Sequence, residues 1–273
     1  YNFRDIVRVG VNVAPTYVNG NQPVSDGEWW LSKGIIQGAL LTSPLCPYIN
    51  EDGSVPLTAS GAGMFENPNW YNVLQLNEDK FHTLRMIANA FLEVQPIKDL
   101  KIKTSVNGDA TYNKANALRP SKSGETYNAP YLIPRTTENS YSNYSWLWEN
   151  TATYSKTIND HSFDVLIGFS AQEFHNESTY IEGKNYPDDK ITTLNAAETI
   201  TANSNIEEWA LLSYIGRLNY NYKVRYLLSA AIRRDGSSRF GALNRWGNFP
   251  SVSVGWKTVT CWYAFWQRLQ PSR

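Results

Sequence analysis

The chain has 273 residues, with 25 basic and 25 acidic side chains and a formal net charge of zero. That balance argues against an electrostatic grip on nucleic acid, and no run nears the ~20 apolar residues of a membrane helix. Charged residues make up only 18%, below the roughly 25% of a soluble domain, while Tyr, Trp and Phe number 17, 10 and 10. Such a composition suits a protein that meets water and an apolar medium at once. It equally suits a Tyr-rich, carbohydrate-binding β-sandwich. Cys46 and Cys261 form neither a disulfide framework nor a zinc pattern. The opening at Tyr1, without an initiator Met, reads as mid-sequence.

Period-two alternation runs along the whole chain, and it is the signature of half-apolar strands. From Val7 to Val13 the apolar positions are Val7, Val9, Val11 and Val13. A long link follows, carrying Trp29, Trp30, Trp70 and Tyr71, whose rings could stack on sugar or pack loop against loop. From Leu84 to Val94 one face is Leu84, Met86, Ala88, Ala90, Leu92 and Val94, with Ile87 and Phe91 as exceptions on the other. Pro96-Ile97-Lys98-Asp99 reads as a short turn. Next, Leu100, Ile102, Val106 and Ala110 oppose Lys101, Lys103, Ser105, Asn107 and Asp109. A second long link follows Tyr112.

Tyr144, Trp146, Trp148, Ala152 and Tyr154 then share a face, and Ile158-Asn159-Asp160-His161 makes a short turn into Phe163, Val165, Ile167, Phe169 and Ala171. A third long link follows Tyr180. Leu212, Tyr214, Leu218, Tyr220 and Tyr222 oppose Ser213, Arg217, Asn219 and Asn221. The short Lys223-Val224-Arg225 leads to Tyr226, Leu228, Ala230 and Ile232, and a fourth long link follows Arg234. Val252, Val254 and Trp256 close the series. The fold class is therefore all-β, an antiparallel meander of about eight long strands. Short and long connections alternate, as they do in outer-membrane barrels, where one rim has short turns and the other long loops. Tyr220, Tyr222 and Tyr226 flank a short turn, where an interfacial girdle would sit.

Little in the chain points to catalysis. His82, His161 and His175 have no metal-ligand spacing, and His161 in a turn and His175 near a loop read as solvated. Asp188-Asp189 and Glu207-Glu208 are sequence neighbours, so in extended chain they point apart. Asn50 to Gly53 lacks the spacing of an EF-hand. No phosphate loop or nucleophile elbow is present. The expectation is no enzyme, no cofactor and no metal. Arg85, Lys101, Lys103, Arg217, Asn219 and Arg233 are the more credible functional set, lining the aqueous face of the wall. Arg233, Arg234, Asp235, Gly236 and Arg239 crowd charge and glycine at a strand end, a natural place for an Arg–Asp network to pin a loop.

Three motifs stand in order within Ser213 to Trp256. They are Gly216-Arg217-Leu218-Asn219-Tyr220, then Arg233-Arg234-Asp235-Gly236-Ser237-Ser238-Arg239-Phe240, then Phe249-Pro250-Ser251-Val252-Ser253-Val254-Gly255-Trp256. This set resembles the SusC/RagA-type TonB-linked outer-membrane transporters. Upstream, Leu41-Thr42-Ser43-Pro44 with Asn50-Glu51-Asp52-Gly53-Ser54, and Pro96 to Lys101, look like the same family. The resemblance covers nearly all of Val7 to Lys257, so residues 1–257 are expected to be a partial barrel. Residues 258–273 no longer match, as a frameshift or truncation would produce.

The resemblance implies an outer-membrane barrel of a Gram-negative bacterium, of the 22-stranded plugged kind, which about eight strands cannot close. It also implies uptake of a large nutrient, most often an oligosaccharide and sometimes a peptide. Its expected partners are a SusD-like surface lipoprotein as lid, the TonB complex and membrane lipid. The family's plug and TonB box match no residues here, and the lumen-facing set would touch that plug.

Overall fold

The computed structural model describes residues 2–3, 6–22, 34–59, 67–123 and 133–258. Eight long strands follow one another in it. They are β1 (Val7–Asn21), β2 (Glu78–Ile97), β3 (Leu100–Arg119), β4 (Arg135–Ile158), β5 (His161–Lys184), β6 (Thr199–Tyr222), β7 (Tyr226–Ser237) and β8 (Trp246–Trp256). Each pairs antiparallel with its sequence neighbour, and the two-residue strand Asn2–Phe3 adds to the free side of β1. The sheet is a single open meander. Its links alternate as anticipated: residues 98–99, 159–160 and 223–225 at one end, and 22–77, 120–134, 185–198 and 238–245 at the other.

The strands outrun the apolar alternation that reveals them. β1 continues to Asn21 rather than stopping near Val13, β3 to Arg119 rather than Tyr112, β5 to Lys184 rather than Tyr180 and β7 to Ser237 rather than Arg234. β4 starts at Arg135 and β6 at Thr199, well before Tyr144 and Leu212. His175 accordingly lies inside β5 and not near a loop, and His161 is that strand's first residue.

Cross-strand register aligns the apolar faces of all eight strands on one side. One row runs Val9, Leu92, Thr104, Asn150, Phe169, Tyr214, Arg234 and Asn248, and another Val13, Ala88, Gly108, Trp146 and Glu173. The opposite side collects the polar residues, such as Arg8, Glu93, Lys103 and Thr151 in a single row. Among the described residues nothing covers the apolar side: Val252 is 73% exposed and Val254 81%. Among the described residues the buried hydrophobic ones are Cys46, Trp70, Val73 and Tyr186, all in the links. A sandwich would bury one face of this sheet against another. This one buries neither, which overturns the soluble-sandwich alternative.

Aromatic rings bracket the apolar band. Trp246 and Trp256 end β8 on the same face, about 33 Å apart at the usual strand rise, or about 23 Å in height at a 45° tilt. That matches the roughly 25 Å apolar belt of outer-membrane barrels. Around Trp256, the Tyr222 and Tyr226 rings stack at 6.2 Å, with the Arg225 guanidinium 5.6 Å from the Trp256 centroid. Around Trp246, Tyr214 stacks at 6.1 Å and Phe169 lies 5.5 Å from Tyr214. Further toward the long links the same outer side turns polar, with Lys114–Glu138 at 2.9 Å and His175–Glu208 at 2.7 Å. Strands of 24 residues (β4, β5 and β6) far exceed the 9–11 needed to cross a bilayer, and this polar part is the portion that stands clear of lipid.

The first long link packs a small core of its own. Helix α1 (Ile35–Leu41) meets helix α2 (Trp70–Leu76) where the indole of Trp70 fills the space that a side chain at Gly38 would need. Asn69 starts α2 by accepting from the Tyr71 N–H at 3.2 Å, and its amide donates to the carbonyls of Tyr48 at 2.9 Å and Pro56 at 2.8 Å. One side chain thus ties three segments together.

Candidate functional site

The polar side of the sheet is where this chain can do chemistry, because a barrel turns that side to its aqueous lumen. Near the short-turn end a hydrogen-bond ladder crosses four strands. Ser155 donates to Asp164 at 2.8 Å, Asn219 donates to Asp164 at 3.2 Å, and Ser229 donates to Asn219 at 2.7 Å. The ladder lines a cavity of about 890 Å³, shared with Asn221 and Ser253. Within it, the buried carbonyl oxygen of the Asn221 side chain has no protein partner among the described residues.

Charged residues higher on this side are mostly paired to the wall itself. Arg85 grips Asp109 with two bonds, Nε to Oδ1 at 3.0 Å and Nη2 to Oδ2 at 2.6 Å. Lys103 holds its ammonium 4.9 Å above the Phe91 ring, and Glu93 lies 3.5 Å from Arg8. Phe91, an apolar exception on this side, lies over Gly10 in the space that any larger residue there would need. Arg233 donates to Asp235 at 2.7 Å and to the Ser213 hydroxyl at 3.3 Å. Lys101 and Arg217 share the side and are exposed. All six candidate lumen residues therefore fall on one side of the sheet. Arg85, Asn219 and Arg233 are engaged in wall-to-wall hydrogen bonds.

The Arg- and Gly-rich motif divides between the two sides. β7 continues through it, so Arg233, Arg234, Asp235 and Gly236 are strand residues and not part of a loop. Arg234 points to the outer side, its guanidinium 5.1 Å from the Trp246 centroid. Gly236 pairs with Trp246, and a Cβ there would come within 2.9 Å of the ring. Arg239, in the link, bonds to Glu207 and lies 5.5 Å from the Trp209 centroid, which Phe174 covers at 5.5 Å on the inner wall. The pinning of link 238–245 thus rests on Arg239 and Ser238, which also bonds to Ala210. Glu207 and Glu208 do point apart, to Arg239 and His175 respectively.

The aromatic candidates fare differently. Trp29 and Trp30 lie outside the described residues, as do residues 259–273. Trp70 is 7% exposed and belongs to the core of the first link, so it offers no open face. Tyr71 is partly exposed and packs edge-on against Tyr48 at 5.4 Å. Among the described residues no cluster of His, Cys, Asp and Glu could hold a metal ion. On the inner side of β4 and β6 toward the long links, polar residues outside the candidate set, Asn139, Tyr141 and Asn143, recur at every second residue, as do Asn203, Asn205 and Glu207. That spacing was the available signal.

Comparison with known proteins agrees with this architecture. No protein-family model matches the chain. TonB-dependent receptor P39 of Formosa agariphila is 32% identical over 188 residues, covering 67% of this chain and 18% of that protein. TonB-dependent receptor SusC of Bacteroides thetaiotaomicron is 28% identical over 279 residues, covering 93% of this chain and 26% of that protein. The chain belongs to the SusC/RagA-type TonB-dependent receptors. Its fold also superposes on the RagAB peptide transporter with a TM-score of 0.74 at 23% identity, covering 91% of this chain and 28% of that one.

This receptor chain thus spans about a fifth to a quarter of the curated relatives it matches. It is an outer-membrane β-barrel wall, and its relatives are receptors and transporters rather than enzymes.

Proposed function

We propose that this wall serves in TonB-dependent uptake of a nutrient too large for porins, with an oligosaccharide as the cargo. The observation that carries this reading is the two-sided sheet, apolar and bracketed by aromatic rings outside, densely polar and hydrogen-bonded inside. In the full-length protein a plug seated against the polar side gates the lumen, and the TonB complex moves it. A SusD-like lipoprotein closes the long-loop rim and hands over cargo. On this reading residues 1–257 are assigned to the barrel and residues 258–273 are not. A peptide is the competing cargo, because the RagAB fold neighbour is named a peptide transporter.

The test is growth of the source bacterium on purified oligosaccharides or on peptides as sole carbon source, with the full-length gene intact, deleted, or cut in its TonB-binding segment. Deletion and TonB-segment removal are expected to abolish growth on one oligosaccharide class and to spare growth on peptides. Growth that survives both changes on every substrate would refute the importer reading.

A further inference from the structure

Asparagines on the polar side of this wall differ in their engagement from strand to strand. On β2 and β3 they are bonded within the wall. Asn89 donates to Asn107 at 2.6 Å, Asn107 to the Leu147 carbonyl at 3.3 Å, and Asn113 to Thr83 at 2.6 Å. Toward the long links, on β4, β5 and β6, they are not. Among the described residues no side-chain hydrogen bond engages Asn139, Asn143, Asn176, Asn203 or Asn205.

These five form a contiguous patch. Asn143 faces Asn176 directly, Asn139 and Asn203 flank Tyr180, and Asn205 pairs with Ser178, which faces Tyr141. Three strands at normal spacing and rise make this surface about 10 Å by 13 Å. The charges at its borders are paired: Glu207 with Arg239, Glu182 with Lys184 at 2.9 Å, and Arg85, near Tyr141, with Asp109 at 2.6 Å. It lies above the aromatic belt, on the strand portions whose outer side is also polar.

We propose that this patch is a binding site for a neutral, polyhydroxylated chain, an uncharged oligosaccharide. The assignment deepens the importer reading and rests on it. Each amide offers two donors and an acceptor, which matches hydroxyls that both give and take hydrogen bonds. Tyr141 and Tyr180 add apolar ring surface with a polar tip, suited to the C–H face of a sugar ring. A charged ligand would need ionic partners to offset its desolvation, and the charges at the borders are already committed to one another. Small-molecule sites of this kind fix orientation with a few placed polar groups.

The experiment uses the full-length receptor, purified in detergent, on an array of neutral oligosaccharides and of uncharged peptides of similar length. Asn143→Ala combined with Asn176→Ala is expected to weaken capture of the bound oligosaccharide at least tenfold. Asn205→Asp, at an exposed position where folding is undisturbed, is expected to weaken it several-fold by adding a charge. Ser142→Ala, one residue away on the outer side, is expected to change nothing. Oligosaccharide affinity unchanged in both patch variants overturns the proposal, as does capture only of peptides or no oligosaccharide capture by the unmutated receptor. TonB-dependent growth on a glycan alongside intact affinity in the variants would sink the patch and leave the importer standing. Loss of TonB dependence would sink the importer reading itself.

Discussion

Arg233 donates from Nε to a carboxylate oxygen of Asp235 at 2.7 Å, two residues along the same side of β7. The pair is partly exposed, at 49% and 23%, so it is worth about 1 kcal/mol or less. Asp235→Ala is expected to lower the yield of folded, heat-modifiable barrel a few-fold and to leave the ranking of competing substrates unchanged. Normal yield with an altered ranking would move Asp235 from the wall to the cargo.

The two sides of β8 differ in what they tolerate. Val252 faces the apolar medium midway between Trp246 and Trp256, and Ser251 faces the lumen. Val252→Arg in the full-length receptor is expected to cost about 2–4 kcal/mol of folding stability in liposomes. Ser251→Arg should cost far less. Tryptophan fluorescence across a denaturant series measures both, and equal penalties would contradict the assigned orientation.

The turn between β6 and β7 holds stored strain. Lys223 and Val224 both adopt φ of 53°, the left-handed region that a mirror-image hairpin turn requires and that a β-branched residue resists. Val224 is 68% exposed and buries little of its side chain. Val224→Gly is therefore expected to stabilise the receptor by about 1 kcal/mol, since the relieved strain exceeds the entropic cost of glycine. A lower midpoint of unfolding for the variant would show that the turn is unstrained.

The Asn50–Ser54 turn is expected to loosen in acid. The Ser54 hydroxyl donates to the Asp52 carboxylate at 2.6 Å and the Ser54 N–H at 2.9 Å, and these bonds hold its pKa below the ordinary carboxylate range. A carboxylate with a lowered folded pKa stabilises fully above its unfolded pKa of about 3.9, and that contribution disappears as pH falls through the folded value. Hydrogen exchange across residues 50–55, corrected for intrinsic rates, should rise over that acid range in the receptor. In Asp52→Asn it should be fast throughout. Protection independent of pH in both would refute the linkage.

The lipid-facing middle of the fold was legible because one side there must be apolar, so Val7 to Val13 and Leu84 to Val94 announce themselves. The upper strands were not. Once clear of lipid, neither side needs to be apolar, and Glu173, His175 and Glu177 replace the expected hydrophobic positions on the outer side of β5. Alternation vanishes although hydrogen-bonded pairing continues, so residues 135–143 and 199–211 read as link when they are strand. The inner charged set was visible from its parity alone, but its pairing was not. That Arg85 is joined to Asp109 and Arg234 to Trp246 depends on register between strands. Trp70 looked available because a tryptophan in a long link has no periodicity to betray burial, and its cover comes from Gly38, some thirty residues away.

β5 is matched residue for residue on both edges, from His161 to Lys184. Deleting a single codon within its membrane-crossing part would turn Val165 and Ile167 toward water and Asp164 toward lipid, since every side chain past the deletion changes sides. Segments 185–198 and 238–245 carry no such parity. A change of one residue is therefore absorbed freely in the links, whereas within a strand it needs a local bulge, such as the register shift between Val94 and Ile97 in β2, to keep the two sides in place.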